Sequence, residues 1–74
     1  MLAQEIRDVR FRQKLRGYDP KAVDLALEAL ARKIGNGERP YAEDCSSRSF
    51  PTRLRGYNRA EVDQFLERVW RETR

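Results

Sequence analysis

Histidine is absent from this 74-residue chain and Cys45 is its only cysteine. Together these exclude an intrachain disulfide, a histidine-based triad and the usual zinc ligand sets. No apolar run approaches the length of a membrane span, and the opening Met1-Leu2-Ala3-Gln4-Glu5 lacks the basic-then-apolar order of a secretion signal, so the expectation is a cytoplasmic protein. The hydrophobic share is low at 39% and the charged share high at 38%, the balance of amphipathic helices with one apolar stripe. A chain this short holds one small core, which excludes two independently folded domains.

What the chain does have is a message stated twice. Phe11-Arg12-Gln13-Lys14-Leu15-Arg16-Gly17-Tyr18-Asp19 recurs as Phe50-Pro51-Thr52-Arg53-Leu54-Arg55-Gly56-Tyr57-Asn58, and the same offset of 39 residues carries Val23-Asp24 onto Val62-Asp63 and Leu27-Glu28 onto Leu66-Glu67. Self-similarity at a fixed offset identifies one structural unit used twice. The units span 1–35 and 41–74, separated by a linker at 36–40, and form one cooperative body.

Each unit ends in a predicted helix. Val23, Leu27, Leu30 and Ile34 fall on one helical face, as do Val62, Leu66, Val69 and Thr73, with Phe65 and Trp70 widening the second stripe. Asp19 with Pro20 behind it starts the first helix at 20, and Asn58 with Glu61 three places on makes a capping-box-like start for the second at 59. Ahead of each cap, Gly17 and Gly56 are expected to supply a positive φ that turns the chain into the helix. The preceding stretches, 9–15 and 48–54, read as ordered basic loops. Leu2–Ile6 aligns with Tyr41–Cys45, each a short helix, and Cys45 in the place of Ile6 is expected to be a buried, inert thiol. The fold expected is all-α: two repeats of short helix, ordered basic loop and longer helix, with almost no sheet.

The spaced pattern Phe, Arg-Gly-Tyr-Asp/Asn, Val-Asp and Leu, over Phe11–Leu27 and again over Phe50–Leu66, resembles the N-terminal module of the DivIVA family of bacterial cell-division and pole-organising proteins. The second copy, Arg-Gly-Tyr-Asn-Arg-Ala-Glu-Val-Asp-Gln-Phe-Leu, is the closer match. The doubled arrangement resembles the small tandem-repeat members known chiefly from actinobacteria, and thirteen arginines against three lysines suit a GC-rich genome. The resemblance implies that the long helices pair as a parallel coiled coil, as an internal pseudo-dimer or a homodimer, and that the loops cross at one end and touch the membrane. Carried over by position, the membrane-touching pair falls on Leu15 with Arg16 and on Leu54 with Arg55, while Gly17, Tyr18, Asp19, Asp24, Gly56, Tyr57, Asn58 and Asp63 form the structural motif. Two departures stand out: leucine at both tips, where the family often has phenylalanine, and no long coiled-coil tail.

Charge placement points the same way. Arg10, Arg12, Lys14 and Arg16 crowd the first loop and Arg48, Arg53 and Arg55 the second, with no acid from 9 to 18 or from 45 to 60. Arg12, Lys14 and Arg53 thus join the two tip pairs as candidates for an anionic membrane surface. The plainer reading has Arg16 and Arg55 folded back on Asp24, Asp63 or Glu61. Phe11, Phe50, Tyr18 and Tyr57 are expected to pack, and Trp70 to lie at the helix seam or at a partner contact. A nucleic-acid role is disfavoured, because the helices alternate Arg with Glu and show no basic recognition face. No catalytic, metal or cofactor site can be assembled from these residues. The function expected is a non-enzymatic adaptor at the inner face of the cell membrane, at septum or pole, in cell division or polar growth, with other cell-division or coiled-coil proteins as partners; the alternative is a protein–protein interaction module without membrane binding.

Overall fold

The computed structural model describes residues 2–73. In chain order these form helix α1 (Leu2–Asp8), strand β1 (Gln13–Tyr18), helix α2 (Pro20–Gly35), a single 3-10 turn (Ala42–Cys45), strand β2 (Thr52–Tyr57) and helix α3 (Arg59–Thr73). The all-α expectation is therefore wrong. The basic segments are extended and pair with each other: Gln13 lies opposite Tyr57, Lys14 opposite Gly56, Leu15 opposite Arg55, Gly17 opposite Arg53 and Tyr18 opposite Thr52. Partner numbers fall as residue numbers rise, so the two-stranded sheet is antiparallel. Two further backbone bonds extend it, Asp19 N–H to the Pro51 carbonyl and Asn58 N–H to the Arg12 carbonyl, each 2.8 Å. Shifting either bond by the repeat offset generates the other, so the halves are related by an approximate two-fold.

These segments read as loops because neither has the alternating apolar pattern of a strand with a buried face. Every side chain from 13 to 16 and from 52 to 55 is exposed, and what recruits the strand state is the backbone of the other repeat. The ladder is irregular, and Tyr18 also comes opposite Tyr57 as the strands cross. At the crossing Gly17 and Gly56 are both buried and lie backbone to backbone. A Cβ on Gly17 would overlap the Gly56 carbonyl carbon and the Tyr57 oxygen, and one on Gly56 would overlap the Tyr18 oxygen. The glycines are thus required for close approach. The positive φ expected of them belongs instead to Arg16, at 59°.

The helices begin where the sequence places them. Asp19 Oδ1 accepts from Lys21 N–H at 3.2 Å with Pro20 in the first turn, and Asn58 Oδ1 accepts from Glu61 N–H at 3.2 Å. The reciprocal half of that second cap is absent, because Glu61 Oε1 accepts from Arg12 N–H at 2.9 Å. Its symmetry mate would join Pro51, which has no N–H, to Ala22, which has no carboxylate, so both partners of the second bond are missing together.

One core joins the halves. Val23, Leu27, Leu30 and Ala31 of α2, Val62, Leu66 and Val69 of α3, and Ile6 of α1 form a single buried cluster flanked by Phe11, Tyr18, Phe50, Tyr57 and Phe65. It is not a two-helix coiled-coil seam: α1 packs closely along α2 and the 3-10 turn along α3, closing the core from the sides. Trp70 stands outside the cluster, half-buried beside Ala42, Cys45 and Leu66 over a cavity of about 180 Å³. Its mate, Ala31, is fully buried. Tryptophan supplies bulk where the 3-10 turn, shorter than α1, leaves α3 less covered.

Candidate functional site

The crossed strands bring the four tip residues of the two repeats into one patch. Leu15 faces Arg55 across the sheet, with Arg16 and Leu54 the neighbouring residues along their strands. Leu15 is 65% exposed and Leu54 77%, so both leucines stand in solvent. The strands can spare these side chains because the core is built from the helices and from the residues flanking the sheet, Phe11 with Tyr57 and Phe50 with Tyr18, at ring centroid distances of 5.4 and 5.5 Å. Phe11 also meets Phe65 edge-on at 5.8 Å.

The cations divide into two groups. Arg53 lies 3.4 Å from Asp19 and Arg12 3.9 Å from Glu61, so two of the seven residues named as membrane candidates are held by acids at the helix starts. Lys14, Arg16 and Arg55 have no ion-pair partner among the described residues. Arg10, on the approach to β1, donates to the carbonyls of Asp8 and Val9. Lys14, Arg16 and Arg55, next to the two leucines along the strands, are all exposed.

Asp24 and Asp63 do not reach Arg16 or Arg55. Tyr57 O–H donates to Asp24 Oδ1 at 2.9 Å and Tyr18 O–H to Asp63 Oδ1 at 2.8 Å, each tyrosine gripping the helix of the other repeat. Tyr18 is also 3.2 Å from Ser47 Oγ. Burial pushes both phenols above their ordinary range and the facing aspartates add to it, so both stay neutral donors at physiological pH. This reciprocal lock explains why Arg-Gly-Tyr and Val-Asp travel together in both repeats: the glycine permits the crossing, and the tyrosine and aspartate fasten it.

Cys45 is partly buried, and burial foremost raises its thiol pKa, in keeping with an inert packing residue. Among the described residues no group of histidine, cysteine and carboxylate side chains has the arrangement of a metal site, and no helix is long and apolar enough to cross a membrane. The sequence reading did not anticipate the left-handed backbone at Arg16 or the bond between Arg12 and Glu61. The second had a legible trace: Pro51 and Ala22 replace its donor and acceptor at the equivalent positions. No family model, curated protein or solved structure matches the chain.

Proposed function

We propose that the chain is a non-enzymatic, DivIVA-like adaptor that docks on an anionic membrane surface through the crossed-strand tip. One observation carries this reading: Leu15 and Leu54 are solvent-exposed on the crossed strands, next in sequence to Lys14, Arg16 and Arg55, which have no ion-pair partner among the described residues. Each cation near an anionic leaflet contributes about 1 kcal/mol, so three give about 3 kcal/mol. Two partly inserted leucines add roughly 1–3 kcal/mol in total. Neither part alone anchors a protein firmly, and the combination gives weak, reversible, salt-sensitive docking at the inner face of the cell membrane. An adaptor gains working affinity from this when a partner gathers several copies. Septum or pole is the place the doubled motif suggests, because the residues forming the crossing are those that resemble the DivIVA module.

Vesicle flotation tests it. Vesicles containing phosphatidylglycerol should carry the protein at low salt and release it at high salt, whereas pure phosphatidylcholine vesicles should leave it behind. Leu15→Glu with Leu54→Glu should abolish flotation without loss of fold, since both side chains are already in water. Flotation unchanged by that double substitution, or by Arg16→Ala with Arg55→Ala, would remove the tip from the account and leave an interaction module without membrane binding.

A further inference from the structure

The two-fold that relates the repeats also relates two cavities. One is lined by Ile6 of α1 and by Leu27, Asp24 and Glu28 of α2; the other is lined by their positional mates, Cys45 of the 3-10 turn and Leu66, Asp63 and Glu67 of α3. Both keep the carboxylate pair, but only the first supplies cations to it. Arg7 and Arg10 line that cavity, and Glu28 lies 3.9 Å from Arg7 and 3.8 Å from Arg32. In the second repeat Ser46 and Ser49 stand in the places of Arg7 and Arg10. The mate of Arg32 is Arg71, which forms no ion pair with Glu67. Glu67 therefore has neither of its twin's partners. Asp63 accepts from Tyr18 O–H through Oδ1, and Arg59, one turn before it on α3, does not pair with it. Where the cations are lost an aromatic wall is gained: the half-buried Trp70 lines the second cavity in the place of the buried Ala31.

From this we infer that the cavity beside Trp70 receives an arginine side chain from a partner protein. The first cavity shows what fits, because there the guanidinium facing Glu28 is the chain's own Arg7. The second has the same carboxylates without that residue, so the cation has to come from outside. Arginine suits the lining in both of its parts. Its aliphatic stem lies against Ala42, Cys45 and Leu66, while its planar head stacks on the indole and bonds the carboxylates of Glu67 and Asp63. At about 180 Å³ the cavity holds one such side chain and not a whole helix or strand. An acidic ligand would meet two like charges there. The inference does not depend on membrane docking.

Trp70 is the only tryptophan, so its fluorescence reports the site directly. The test titrates the full chain, at constant ionic strength, with a capped glycine–arginine–glycine peptide to millimolar concentration, beside a control peptide with citrulline, which keeps the shape of arginine without its charge. The arginine peptide should shift the emission saturably and the citrulline peptide should not. Glu67→Gln should weaken binding by about fivefold, with the melting temperature retained because Glu67 is exposed and unpaired. Ser46→Arg, which installs the cation of the first repeat, should occupy the site from within and abolish the response. Absence of a saturable shift, an equal shift with citrulline, or binding untouched by both substitutions would overturn the inference. So would self-association of the wild-type chain that Glu67→Gln abolishes, since the arginine would then come from a second copy.

Discussion

At the crossing, single atoms decide the outcome. Gly17 and Gly56 have no room for a Cβ, so Gly17→Ala or Gly56→Ala should cost about 3 kcal/mol or more, seen as a large fall in urea midpoint. Arg16, one position away, is the opposite case. With φ at 59° it holds a left-handed backbone that a side chain disfavours, so Arg16→Gly should stabilise the fold by about 1 kcal/mol. The equivalent Arg55→Gly should not, because Arg55 is not among the positive-φ residues. Tyr18→Phe and Tyr57→Phe should each cost about 1–2 kcal/mol by stranding Asp63 or Asp24 without its phenol donor. The importance of Arg-Gly-Tyr was legible in the sequence because it occurs twice. Its geometry was not, since a glycine in a repeat looks the same whether it is kept for its φ or for its missing side chain.

The helices were the legible elements and the strands were not, for a physical reason. Apolar spacing and capping residues are local, and they place α2 and α3 at their observed starts. β1 and β2 carry no pattern of their own, and their state is imposed by a partner 39 residues away. The tip residues could be named from charge and position alone, whereas the pairing of Arg12 with Glu61 and of Arg53 with Asp19 could be seen only once the strands had crossed. The 3-10 turn makes its own prediction. Asp44 accepts from Tyr41 N–H at 2.7 Å and pairs with Lys33, and the backbone bond foremost holds its carboxyl below the ordinary value. Because the folded-state pKa is the lower one, the stabilisation is complete above the unfolded carboxylate range and is lost as pH falls through the folded value. Asp44→Ala should therefore lower the melting temperature at neutral pH and flatten its decline on acidification below about pH 4, as followed by circular dichroism.

For the whole molecule, the pairing that the resemblance allowed between two chains is satisfied within one. Size exclusion with light scattering should return the 8.8 kDa of a single chain across the micromolar range. Unfolding should be a single transition, because neither half has a core of its own: Val62, Leu66 and Val69 complete the cluster of Val23, Leu27 and Leu30. Either repeat expressed alone should be unfolded, or should recover helicity only on dimerising, with a melting temperature that rises with concentration.

The crossing also sets a schedule for synthesis. β1 has no mate until β2 has cleared the ribosome, an interval of about 2–8 s at ordinary elongation rates. During that wait the nascent chain exposes an unsatisfied edge and half a core. On a crowded polysome, its nearest complement is the same segment of a neighbouring nascent chain. Shortening the Asn36–Pro40 tether would hinder the proper partner, while slowing translation after it would favour the wrong one, so this protein's yield should track codon speed through its second half.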